Sequence, residues 1–102
     1  MLGFIKLASI NDVKPNSMTG VTINDHKILL ANVNGNYYAI GNKCMHRGCT
    51  LSEGELNAET VVCPCHGSTY ELKTGNFITG PTKKPEPAYE LKVENNSILI
   101  NL

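Results

Sequence analysis

The sequence predicts an all-β fold, a barrel or sandwich of short strands, and three observations carry that reading. Tyr89, Leu91 and Val93 alternate with Glu90, Lys92 and Glu94, the period-two pattern of a strand with one buried face. Short apolar runs recur between turn signals spaced roughly ten residues apart. No segment carries the spacing of an amphipathic helix.

Taken in chain order, residues 21–23 and 27–31 are predicted strands joined at Asn24-Asp25, and residues 37–40 follow across Asn34-Gly35. Asn and Gly tolerate the positive φ that a two-residue hairpin turn demands. From residue 42 to about 87 the apolar rhythm weakens, and Gly, Pro, Cys and His become frequent. This stretch reads as a loop-rich insertion standing on a β framework, and loops on a rigid scaffold are where sites concentrate. The framework resumes at 89–94, turns at Asn95-Asn96 and closes with Ile98, Ile100 and Leu102. A length of 102 residues suits one domain, 1–102, with 42–87 as its smaller part.

Composition narrows the function classes. Nine Lys plus Arg balance nine Asp plus Glu, with no basic run and no ladder of aromatics, which argues against a nucleic-acid partner. No apolar stretch approaches the ~18 residues of a membrane span. The first residues lack a basic n-region, a long apolar h-region and a small-residue cleavage site, so a cytoplasmic location is expected.

The chemistry lies in two boxes, Cys44-Met45-His46-Arg47-Gly48-Cys49 and Cys63-Pro64-Cys65-His66-Gly67-Ser68. All four cysteines and two of the three histidines fall between positions 44 and 66, which suits a metal or redox site better than a scattered disulfide framework. In each box a Cys and a His are close enough for one tight loop to aim both at a single centre. Sixteen residues separate His46 from Cys63, room for a hairpin that brings the boxes face to face. A structural zinc site in an interaction module is the alternative, because zinc also takes Cys and His in fours. Zinc fingers, however, usually open with two cysteines, and the first box opens Cys-x-His.

The spacing Cys-x-His and Cys-x-x-His, with Gly48-Cys49 and Pro64-Cys65-His66-Gly67-Ser68 around it, resembles the Rieske iron–sulfur signature. The likeness extends to Tyr70 and Thr74-Gly75, then more loosely to Gly80-Pro81 and the last strands. It implies one [2Fe–2S] cluster per chain on a β-sandwich or barrel-like base with a small cluster-binding subdomain. Cys44 and Cys63 would ligate the buried iron, and His46 and His66 the outer one. Ligand chemistry agrees: exchanging two thiolates for neutral imidazoles removes two negative charges and eases reduction. Rieske centres accordingly lie near −150 to +300 mV, against roughly −400 mV for plant-type ferredoxins.

The resemblance also assigns the remaining boxed residues. It implies a Cys49–Cys65 disulfide between the cluster loops, as in the cytochrome bc branch; two reduced buried thiols are the alternative in a reducing compartment. Ser68 and Tyr70 would donate hydroxyl hydrogen bonds to a bridging sulfide and a ligand sulfur, raising the potential. Leu51-Ser52-x-Gly54 and the short length look like ferredoxins that feed ring-hydroxylating oxygenases. Arg47 stands where the respiratory branch usually has Leu, which weakens a quinol-docking role.

Gly80-Pro81 to Pro85-Glu86-Pro87 is either a stiff connector or a third loop over the cluster. His26 reads as an exposed turn residue and Lys83-Lys84 as a solvated pair. The expected function is one-electron transfer by a monomeric carrier between a reductase or respiratory donor and an acceptor such as an oxygenase. The oxygenase itself is excluded for this chain: only His26 remains to build a mononuclear iron site.

Overall fold

Asn-led turns set the framework. Asn24 and Asp25 (φ +48 and +66°), Asn34 and Gly35 (+54 and +88°) and Asn95 and Asn96 (+50 and +66°) are all left-handed. That backbone matches the twist of the flanking strands. A computed structural model describes residues 3–43, 49–65, 67–80 and 84–102. Cys44, His46, Arg47, Gly48, His66, Pro81 and Lys83 lie outside the described residues.

In chain order the strands are β1 (Phe4–Ser9), β2 (Ser17–Ile23), β3 (His26–Val33), β4 (Asn36–Gly41), β5 (Glu55–Asn57), β6 (Thr60–Val62), β7 (Thr69–Glu71), β8 (Phe77–Thr79), β9 (Ala88–Glu94) and β10 (Ser97–Asn101). A six-stranded sheet runs β1-β10-β9-β4-β3-β2, and a four-stranded sheet runs β5-β6-β7-β8. Each of these pairings is antiparallel. Helical structure among the described residues amounts to 3-10 turns at Ile10–Asp12 and Leu51–Glu53. No helix among them is long and apolar enough to cross a membrane.

β3 organises the interior because both its faces are covered. Ile28 and Leu30 join Leu7, Val13, Ala39, Ile98 and Ile100 in a core inside the large sheet. Leu29, Ala31 and Val33 join Ile40, Leu51, Val61, Cys63, Tyr70 and Leu72 in a second core against the small sheet. Successive strand side chains point to opposite faces, so a strand between two cores reads as a continuous apolar run. Ile28, Leu29, Leu30 and Ala31 are fully buried in succession.

Two regions depart from expectation. The 42–87 stretch, expected to be loop-rich with a hairpin between the boxes, contains that hairpin as β5 and β6 and adds β7 and β8, each strand three residues long. Three residues are too few to display a period. β1 was not anticipated either; its pairing with β10 shifts register between Lys6 and Ala8, which breaks the alternation that would have marked it.

Candidate metal centre

The described residues that flank the first box are tied together. Lys43 and Thr50 form an antiparallel bridge. The Asn42 carbonyl accepts from Leu51 N–H at 2.9 Å. The Asn42 side chain accepts from Ser52 N–H at 2.7 Å and donates to Ser52 Oγ at 3.0 Å. Asn42 is buried, so these bonds offset its desolvation and fix where residues 44–49 leave and rejoin the framework. The sequence offered no local signal for this pin, since Asn42 works through a residue ten positions away.

The second box is a tight turn at the end of β6. Cys63 N–H donates to the Ser68 carbonyl at 2.7 Å, and Gly67 N–H donates to the Cys63 carbonyl at 3.2 Å. Pro64 and Cys65 occupy the exposed corner, while Cys63 is buried in the core between the sheets. The preceding hairpin, β5 to β6, occupies the interval between the boxes.

Cys49 and Cys65 are joined through their Sγ atoms, with Cα atoms 6.5 Å apart and 16 positions between them in sequence. Together with Cys63 they form a cluster whose sulfurs all lie within 4.8 Å of one another. The disulfide therefore lies directly against the Cys63 thiol. Of the four ligand candidates, Cys63 is described; Cys44, His46 and His66 fall outside the described residues.

Ser68 and Tyr70 stand on the far side of that turn. Both are fully buried. Tyr70, on β7, packs edge-on against Phe77 with ring centroids 6.4 Å apart. Ser68 Oγ has no hydrogen-bond partner among the described residues. Leaving a buried hydroxyl unpaired costs about 1–3 kcal/mol, so this orphan next to Cys63 suits a group that brings its own acceptor. The sulfides of an iron–sulfur cluster are such acceptors.

Gly80 explains how the return strand passes over Ser68. Its φ is +123°, and a Cβ there would lie 2.5 Å from Ser68 Cα and 2.8 Å from Ser68 Oγ. Only glycine fits. The segment beyond is held at its other end, where Glu86 N–H donates to the Gly75 carbonyl at 2.8 Å and Gly41 N–H donates to the Pro87 carbonyl at 2.9 Å. Glu86 is buried, a residue that composition alone did not single out. Burial, and then the Glu86 charge, raise the Tyr89 phenol above its ordinary range. His26 is exposed at the start of β3, its ring edge against Tyr89 at 6.4 Å, in a different hollow from Cys63.

Comparison with known proteins agrees with this arrangement. The model of the Rieske [2Fe-2S] domain matches residues 3–94. The ferredoxin component of the naphthalene 1,2-dioxygenase/salicylate 5-hydroxylase systems of Ralstonia sp is 29% identical over 99 residues, 97% of this chain and 95% of that protein. The 3-phenylpropionate/cinnamic acid dioxygenase ferredoxin subunit of Shigella boydii serotype 4 (strain Sb227) is 41% identical over 76 residues, 74% of this chain and 72% of that protein. Among solved structures, the ferredoxin of carbazole 1,9a-dioxygenase from Nocardioides aromaticivorans IC177 superposes with a TM-score of 0.90 at 26% identity, covering 95% of both chains. These relatives are electron-carrying components of oxygenase systems rather than the catalytic enzymes. The chain belongs to the Rieske [2Fe–2S] domain family.

Proposed function

We propose that this protein is a cytoplasmic, monomeric ferredoxin that carries single electrons from a reductase to the terminal oxygenase of a ring-hydroxylating system. The observation that carries the reading is the pairing of buried Cys63 with the orphaned Ser68 hydroxyl, in a chain similar along its length to oxygenase ferredoxins. Cys44 and Cys63 would hold one iron and His46 and His66 the other. When bound, the cluster supplies a reversible one-electron couple, and the protein needs no substrate pocket of its own.

The chain's residues do the tuning. Neutral His46 and His66 in place of two thiolates lower the negative charge that an incoming electron meets. Ser68 Oγ and the Tyr70 hydroxyl would donate toward sulfur, favouring the more negative reduced state. The Cys49–Cys65 bond would couple the two boxes, and the Leu29, Leu51 and Tyr70 core excludes water from the Cys63 side. His46 and His66 would form the side from which electrons leave.

The experiment is a reductive titration followed by single-turnover mixing with the terminal oxygenase component of a naphthalene 1,2-dioxygenase system. Uptake of one electron per chain and its transfer to the oxygenase are expected. One-electron uptake without transfer would refute the partner class, and no uptake would refute the carrier function.

A further inference from the structure

Beside the base of the first box lies a second concave site, of about 410 Å³, that electron transfer does not explain. Its floor is built by close approach: a Cβ on Gly20 would lie 2.7 Å from Asn42 Nδ2 and 3.0 Å from Ser52 Oγ. A side chain at position 20 would fill the hollow and displace the Asn42–Ser52 pair. Ser52 Oγ accepts from Asn42 Nδ2 at 3.0 Å, which leaves its own O–H to donate outward.

The lining carries no carboxylate. Lys27 and Lys43 bring ammonium groups, and Thr22 and Thr50 bring hydroxyls. Thr22 stands opposite Lys27 in the β2–β3 register, and Lys43 bridges Thr50, so each lysine is paired with a hydroxyl residue by the backbone. Both lysines are exposed, and neither forms an ion pair among the described residues. Asp25 and Glu86 line an adjoining cavity that shares Lys27, Asn42 and Lys43 with this one.

We propose that this hollow is a binding site for a small phosphate-type oxyanion. Two exposed ammonium groups, without an ion pair among the described residues, supply the charge, and the hydroxyls of Thr22, Thr50 and Ser52 supply directional donors around it. Four acceptor oxygens use that donor set more fully than the two of a carboxylate. Binding is weak and salt-sensitive, because the lysines remain in contact with solvent.

The test is a titration of the oxidised holoprotein with inorganic phosphate at low ionic strength, read by backbone 15N shifts, with acetate as the comparison. Saturable shifts at Gly20, Thr22 and Ser52 are expected, with phosphate binding more tightly than acetate. Lys27→Ala, which removes the ammonium but keeps the backbone carbonyl that accepts from Asn42 N–H, is expected to weaken phosphate about fivefold, the scale of one partly exposed charge pair. Its visible spectrum should be unchanged, and adding Lys43→Ala should abolish saturation. Shifts that rise linearly with phosphate, that acetate reproduces equally, or that keep their wild-type midpoint in Lys27→Ala would overturn the proposal.

Discussion

Leu29 and Leu30 are neighbours in the chain, both fully buried, yet they belong to different halves of the molecule. Leu30 packs inside the six-stranded sheet with Ile98 and Ile100. Leu29 packs against the four-stranded sheet with Val61, Cys63 and Tyr70. The first half is built from strands of five to eight residues joined by tight turns. The second is built from strands of three residues, too short to be stable without help. Its help comes from the face of β3, from the Cys49–Cys65 bond and, as proposed, from the cluster. The frame is expected to persist alone, and the site to depend on its cross-links.

That contrast can be broken most sharply at Cys63. Cys63→Ser is expected to abolish the cluster and the visible colour while the large sheet persists, whereas His26→Ala leaves the spectrum intact. Iron analysis with circular dichroism of both variants checks this. Loss of all β structure in Cys63→Ser would show that the frame is not self-sufficient.

The adjacent leucines come next. Leu29→Ala and Leu30→Ala should each cost about 2–5 kcal/mol, the range for emptying a buried leucine site. The consequences should differ: Leu29→Ala should speed cluster loss on warming, and Leu30→Ala should chiefly lower the global unfolding midpoint. Equal rates of cluster loss at matched stability would erase the distinction between the cores.

Breaking the disulfide is a milder perturbation. A cross-link closing a loop of 16 positions contributes about 3 kcal/mol by loop entropy. Cys65→Ser is therefore expected to raise amide exchange across β5 to β8 while β2, β3 and β4 stay protected. Uniform exchange across both sheets would argue that they unfold as one unit.

The framework was legible because its signals are local. Asn24-Asp25, Asn34-Gly35 and Asn95-Asn96 announce their own φ values, and residues 89–94 are long enough to show alternation. A candidate site could be named for a different reason: iron–sulfur chemistry restricts which residues can be ligands, so Cys and His spacing is a signal without any periodicity. What remained hidden depends on distant partners. Asn42 was unreadable because Ser52 gives it meaning. The need for glycine at Gly80 was unreadable because the obstacle to a side chain there is Ser68, twelve positions earlier.

Smaller effects sharpen the account at single hydroxyls. Ser68→Ala should leave folding nearly unchanged, since its Oγ has no partner among the described residues. It should lower the reduction potential by on the order of 50 mV, the one-electron equivalent of about 1 kcal/mol of hydrogen bonding. Farther out, burial, the Glu59 charge and the 3.2 Å bond to Glu59 Oε2 raise the Tyr38 phenol above 10.0. Folding favours its protonated form, so this contribution is intact below the unfolded-state value and fades as pH climbs through the folded one. Glu59→Gln should bring the Tyr38 titration down toward the ordinary value in an ultraviolet pH titration.

Two-Cys and two-His ligation by Cys44, Cys63, His46 and His66, as proposed, can be read from a redox titration of the purified holoprotein. The expected result is a one-electron midpoint between about −150 and +300 mV, with about two irons and two acid-labile sulfides per chain. A midpoint near −400 mV would point to all-thiolate ligation instead. A colourless protein carrying one zinc would contradict the claim outright.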